Sequence, residues 1–432
     1  MRTIGLLFPP SEPQAALVAG GISLLERQAR QLRRAGVDRL YAVDVIPLTQ
    51  LPVDVTALAV PALSDAVEPG DRVVAIAAGL ILDERAVAAV LAAPAPALLV
   101  WDATRPGADG VERIDASSFA AGMLTVSGAM ARKLAAGLGE WDFGSTLIRV
   151  LAADATTTRV EFSALPIYAP NLQRDVELVW TRPESPDDAR VAEDMLIAAS
   201  QKGCLDWPAR FLHPFPEDAL VRVLAPTRIT PNIVTFGTSI LGVIAGIAFG
   251  MGWLWTGLIL GLITGLLNGV DGKLARIRVE YSKCGDHEHL VGKLLEYGWY
   301  LMIAGHFSFA RQSMLPWAIA ALIILPAISE AVQGQFFRKL TGIQLDDAGD
   351  VERRIRLFAG RRNTFLWTWL VFAIFGLWFE GFVALASYSV ITTGIVQWRF
   401  YRRLSEYARE QGDRIAANYA ATAYTFLPRK RV

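Results

Sequence analysis

Along residues 1–190 short apolar runs alternate with amphipathic stretches, and after residue 228 long uncharged apolar runs take over. In the first part Thr3–Leu7, Arg39–Val45, Arg72–Ala77 and Ala97–Trp101 are apolar runs of strand length. Between the first two lies ISLLERQARQLRRAGV, where Leu24, Leu25, Ala29 and Leu32 recur at helical spacing and Gly36 is placed to end the helix. Strands alternating with helices predict an α/β layer domain over residues 1–190 with a mostly parallel sheet. Residues 191–228 read as a connection, a helix followed by WPARFLHPFPEDALVRVLA, which is amphipathic enough to lie at a membrane interface. Trp207, Phe211, Leu220 and Leu224 are its expected apolar contacts, with Arg210 and Arg222 near headgroups.

From Ile229 to Val270 there is no charged side chain. A helical span needs about 20 apolar residues, so this run holds two, broken at Gly250-Met251-Gly252. Further spans read as 290–310, 313–333, 364–380 and 381–399, which gives an all-α six-helix transmembrane domain over 229–400 and a basic tail over 401–432. The connections near 251, 311 and 380 carry almost no positive charge, whereas Arg338, Lys339, Arg361, Arg362, Arg402 and Arg403 lie on the other side. The positive-inside rule then places both termini in the cytoplasm. The small-residue run Gly242–Gly250 permits close helix packing.

Composition changes this picture little. The 42 basic and 42 acidic residues balance, so no electrostatic footprint for nucleic acid exists. Cys204 and Cys284 have neither metal-type nor disulfide spacing. The N-terminal MRTIGLLFPPSEPQ lacks the layout of a signal peptide, so the first domain is expected in the cytoplasm.

The most informative stretch is NGVDGKLARIRVEYSKCGDHEHLVGK, residues 268–293, which sets ionisable groups beside apolar spans. Such groups are costly at membrane depth and usually functional. ITPNIVT (Ile229–Thr235) and DGKLAR (Asp271–Arg276), with Gly285 nine residues on, resemble the CDP-alcohol phosphotransferase family. ERRIRLFAGRRN (Glu352–Asn363) is similar to a segment of its fused two-domain members. The resemblance implies a membrane enzyme that displaces CMP from a CDP-linked donor by attack of an alcohol or lipid hydroxyl, and a homodimer through the spans, since the related enzymes are often dimers. It places Asn232 near the donor phosphates, Gly272, Ala275 and Gly285 around CMP, and Arg276 on phosphate.

The family pattern is Asp-x2-Asp-Gly-x2-Ala-Arg-x8-Gly-x3-Asp-x3-Asp, whose carboxylates would hold Mg²⁺ or Mn²⁺ against the diphosphate. Here the first carboxylate falls on Asn268, the second is Asp271, the third is His289 and the fourth is Lys293. Lys293 can pair with Asp271 and dispense with metal. If the following helix is shifted by one residue, Glu288 and Glu296 turn inward, and Asp271, Asn268, Glu288 and His289 form one metal site. Glu288, with His289 beside it, is then the expected base toward the acceptor.

The first domain resembles a sugar-phosphate nucleotidyltransferase, a Rossmann-like fold, through GISLLERQARQLRRAGVDRLYAVDV, VVAIAAGLILDERAVAAVL and FAAGMLTVSGAMARKL. It lacks that family's glycine-rich loop with Arg and Pro-Lys, and Ala78-Gly79-Leu80 stands where a metal-binding Gly-Asp is expected. The domain is therefore expected to pack, dimerise or dock rather than catalyse. Two readings follow for the whole chain, a phosphotransferase of phospholipid or polar-lipid synthesis and a non-catalytic membrane subunit that binds lipid or regulates a partner.

Overall fold

The computed structural model describes residues 1–9, 12–44, 51–102, 112–281 and 285–410, without the side chains of 12–13 and 285–289. The apolar runs become strands because their Val, Ile and Leu side chains are covered on both faces of one sheet. The strands are β1 (Thr3–Leu7), β2 (Arg39–Val43), β3 (Val55–Leu58), β4 (Arg72–Ile76), β5 (Ala97–Asp102), β6 (Ser118–Ser127) and β7 (Thr158–Glu161). They are ordered β7-β5-β6-β4-β1-β2-β3. All neighbours are parallel except β6, which runs antiparallel to both β4 and β5.

Helices α1 (Leu24–Arg34) and α2 (Glu84–Ala92) cover one face, while α3 (Gly128–Ala136) and α4 (Phe143–Ala153) cover the other. The predicted stripe on α1 is buried, its start is capped by Ser23, and Gly36 turns the chain at φ 88°. Strands β3, β6 and β7 escape the sequence reading because their runs are short, polar or rich in Ala and Gly.

Helix α5 (Pro186–Ser200) begins with a capping box from Ser185 and Asp188. The interfacial stretch becomes two helices, Trp207–Phe211 and α6 (Pro214–Leu224). Leu220 and Leu224 pack inward, Trp207 meets the Trp367 ring, and Arg222 pairs with Asp194 at 2.7 Å. Of the expected apolar contacts Phe211 is exposed, and Leu212, Phe215 and Val223 are exposed with it. The helical half follows as α7 (Pro231–Gly250), α8 (Leu254–Ile277), α9 (Gly285–Arg311), α10 (Leu315–Thr341), α11 (Asp350–Phe358), α12 (Arg362–Ile374) and α13 (Trp378–Glu410). Among the described residues α7, α8, α10 and α13 are long and apolar enough to cross a membrane.

Helices α9 and α12 occupy the places of the third and fifth expected spans. With 13 residues, α12 is about 20 Å long, short of a hydrocarbon core of about 30 Å. Helix α13 runs past residue 401, where the basic tail is expected to begin. It continues to Glu410, and its Arg399 and Arg403 pair with Glu352 of α11. Residues 411–432 lie outside the description.

The small-residue run of α7 packs within the chain. Trp299 of α9 lies against Gly242 and Gly246, and its indole N–H donates to the Gly242 carbonyl at 2.7 Å. A second row, Gly257, Gly261, Gly265 and Gly269, runs down one face of α8 at every fourth position. Cβ atoms there would meet Phe249, Leu366, Asn363 and Glu217 in turn. These glycines let α8 sit at the centre of the helical half.

The α/β domain docks on the end of α8. Buried Arg27 donates to the Ile277 and Ala19 carbonyls, and Arg30 donates to the Arg278 carbonyl at 2.9 Å and to Glu280 at 2.7 Å. Arg278 in turn donates to the carbonyls of Leu224, Ala225, Thr227 and Ile229, fixing the turn before α7. A second contact joins Tyr168 and Gln173 to Asp347 and Gln344.

Candidate functional site

The C-terminal turns of α8 separate two cavities, of about 670 and 360 Å³. Asn268, Gly272 and Arg276, four residues apart, line both. Asp271 and Ala275, on one flank of that ridge, face the larger cavity, while Gly269 and Lys273, on the other, face the smaller. Asn232, in the first turn of α7 after the Thr230 cap and Pro231, completes the set at the larger cavity.

Each side chain of the motif has a local reason for its position. The Thr235 hydroxyl donates to Asp271 Oδ2 at 2.8 Å, and the Gly272 amide lies 2.5 Å from Oδ1. Gly272 makes room for Arg276, since a Cβ there would stand 3.3 Å from both terminal guanidinium nitrogens. Arg276 Nε donates to the Ser200 carbonyl at 2.7 Å, which aims the rest of the group along the cavity wall. Lys202 lies beside it, its ammonium pushed down by burial first and by Arg276 second, with Asp271 opposing. Among the described residues, this part of the larger cavity therefore offers two cations and two carboxamides around a single oriented carboxylate.

Six predicted positions, Asn232, Asn268, Asp271, Gly272, Ala275 and Arg276, thus come together. Gly285 opens α9, and the side chains of Glu288 and His289 lie outside the described residues. Lys293 is paired with Glu296 at 3.0 Å, one turn along its own helix, rather than with Asp271. Glu296, the other carboxylate of the shifted register, is buried between Lys293 and the Tyr300 hydroxyl and lines the smaller cavity instead of the one Asp271 faces. Arg361 and Arg362 also line the smaller cavity.

Sequence reasoning missed Lys202 and the ion cluster around Lys273. That lysine is 2% exposed and bonded to Glu217 at 2.9 Å and Asp218 at 2.5 Å. The signal was present, because a lysine closing an uncharged span needs a partner and PED at 216–218 is the nearest acidic pair upstream. Burial pushes the Glu217 carboxyl above the usual range, with Lys273 opposing.

Among the described residues no group of three His, Cys, Asp or Glu converges as a metal site. Mg²⁺ and Mn²⁺ are held by several anionic or neutral oxygens. One carboxylate flanked by Lys202 and Arg276 does not fit such an ion unaided, and suits the phosphates of an anionic ligand better. Comparison with protein-family models and with curated proteins finds no match for this chain.

Proposed function

We propose that the chain is a membrane protein of CDP-alcohol phosphotransferase type, which takes a CDP-linked donor into the larger cavity and transfers its phospho-alcohol group to an alcohol or lipid acceptor. The observation that carries this reading is the convergence of Asn232, Asn268, Asp271, Gly272, Ala275 and Arg276 on one cavity of nucleotide size. Arg276 and Lys202 neutralise the diphosphate, and Asn232 and Asn268 hydrogen-bond it. The acceptor oxygen bonds to the distal phosphorus, the bridging P–O bond breaks, and the electron pair leaves with CMP. The acceptor proton passes to a carboxylate, with Glu288 as the proposed base. A divalent cation would need Glu288 and His289 beside Asp271 and Asn268, and would supply charge neutralisation of the leaving group.

The six-span topology belongs to the same proposal. The end of α8 touches Arg27 of the α/β domain, and the loop after α10 touches Gln173 of that domain at 2.6 Å. Those two ends therefore share a side, so α9 must cross if α10 does. Arg399 and Arg403 bring α13 back to Glu352 on that side, which requires α12 to leave it. Both termini and the cavity are then cytoplasmic.

The Lys293–Glu296 pair favours a second reading, a non-catalytic binder, because an ammonium stands where the family keeps a carboxylate. Purified full-length protein, offered a panel of CDP-alcohols with Mg²⁺ or Mn²⁺, separates the two. Metal-dependent CMP release that falls about a hundredfold or more in Asp271→Ala supports transfer. CDP binding by calorimetry without CMP release supports the binder. Absence of both CDP binding and turnover overturns the phosphotransferase and leaves the non-catalytic subunit that binds lipid or regulates a partner.

A further inference from the structure

The part of the larger cavity that the α/β domain lines has a chemistry of its own. Tyr281 follows α8 and lines this cavity with 48% of its surface exposed. The Arg34 guanidinium of α1 lies 3.3 Å from the centre of the Tyr281 ring, parallel in role to a backing plate on one face. Glu84, in the first turn of α2, holds Arg34 there, with Arg34 Nη1 donating to both carboxylate oxygens at 2.8 Å. All three side chains line the cavity.

The backbone that presents Tyr281 is strained. Val279 has φ 53°, the left-handed region, which a β-branched residue enters at a cost. The Glu280 amide donates to the Ala275 carbonyl at 2.8 Å, and Arg278 and Glu280 are tied to Ile229 and Arg30, so the turn is held from both domains. A relaxed continuation of α8 would leave Tyr281 elsewhere on the helix surface. The fold maintains an unfavourable conformation whose result is a half-exposed aromatic ring in the cavity that Arg276 and Lys202 also line.

Cations suited to phosphate and a flat ring suited to a base, within one cavity, match the two parts of a nucleotide. We infer that Tyr281, backed by Arg34, is the stacking platform for the nucleobase of the bound ligand, and that the α/β domain serves the membrane domain's cavity as its base-recognising wall. Tyr281 touches the base, whereas Arg34 and Glu84 are positioning residues. The inference rests on the reading of this cavity as a nucleotide site. It gives the α/β domain a function that its missing glycine-rich loop does not supply.

The test uses full-length protein in detergent, with CDP and inorganic pyrophosphate as separate calorimetric probes. Tyr281→Ala and Arg34→Gln are expected to weaken CDP about tenfold while leaving pyrophosphate affinity as in the wild type. Tyr281→Phe, which keeps the ring, is expected to retain CDP affinity. Unchanged CDP binding in Tyr281→Ala overturns the platform while the nucleotide reading stands. Parallel loss of CDP and pyrophosphate in both Tyr281 variants also overturns it, since the residue would then act on the fold. A wild type that binds pyrophosphate but not CDP overturns the nucleotide reading itself, and the platform with it.

Discussion

Lys273 shows how a single side chain in the motif is tied to the rest of the molecule. Its ammonium is buried on Glu217 and Asp218, so truncation leaves an uncompensated carboxylate in a nearly dry site. Lys273→Met is expected to cost about 3–5 kcal/mol, read from denaturation in detergent, and Glu217→Gln in the same chain is expected to recover part of it. The acid side carries its own signature. Burial, with Lys273 opposing, leaves the folded Glu217 above the ordinary glutamate value, so the folded chain keeps a proton in a window where the unfolded chain has lost it. That contribution is full below about pH 4.3 and is lost as pH rises through the raised value. Glu217→Gln is expected to flatten this decline, measured as melting temperature against pH. At this scale the motif positions on α8 were legible from residue type and helical spacing, whereas Asn232 on α7 was implied only by the resemblance of ITPNIVT. The partners of Lys273 and Lys293 were not, because several carboxylates lie within reach of a flexible lysine and only packing chooses among them.

At the scale of elements, α8 is the organising helix, and its glycines at 257, 261, 265 and 269 are the reason. A Cβ on Gly257 would press into the Phe249 ring, so Gly257→Ala is expected to cost about 1–3 kcal/mol by overpacking. Gly237→Ala in α7 meets nothing within 4 Å and is expected to stay within about 0.5 kcal/mol of the wild type. Thermal melts of the two variants in one detergent check the contrast. The row itself is visible in the chain, whereas its partners on α6, α7 and α12 are not, since spacing identifies a face but not what covers it. The short α12 and the long α13 show the same limit. Apolar length over 364–399 announces two helices, and the division between them is made by a turn in which Gly376 adopts φ 73°.

At the scale of the whole molecule, the α/β domain grips two loops of the helical half through Arg27, Arg30 and Gln173. The six-span proposal makes a direct prediction, because it puts the connection after α9 and the connection after α10 on opposite sides of the bilayer. In a chain with its two cysteines replaced, Ser313→Cys should react with an impermeant maleimide only in right-side-out vesicles, and Gln344→Cys only in inside-out ones. Labelling of both positions from the same side would leave α10 uncrossed and sink the six-span arrangement. The pattern of apolar and charged positions by itself determined the division into an α/β half and a membrane-compatible helical half, the main strands, and which motif residues could act together. It could do so because burial of apolar surface and the helical repeat are local and periodic. Only the tertiary structure decided that the cavity is shared by both domains, that Lys293 serves Glu296 rather than Asp271, and that Arg34 stands over Tyr281. Those contacts join segments far apart in sequence through single side chains, and no local repeat encodes which distant partner such a group will meet.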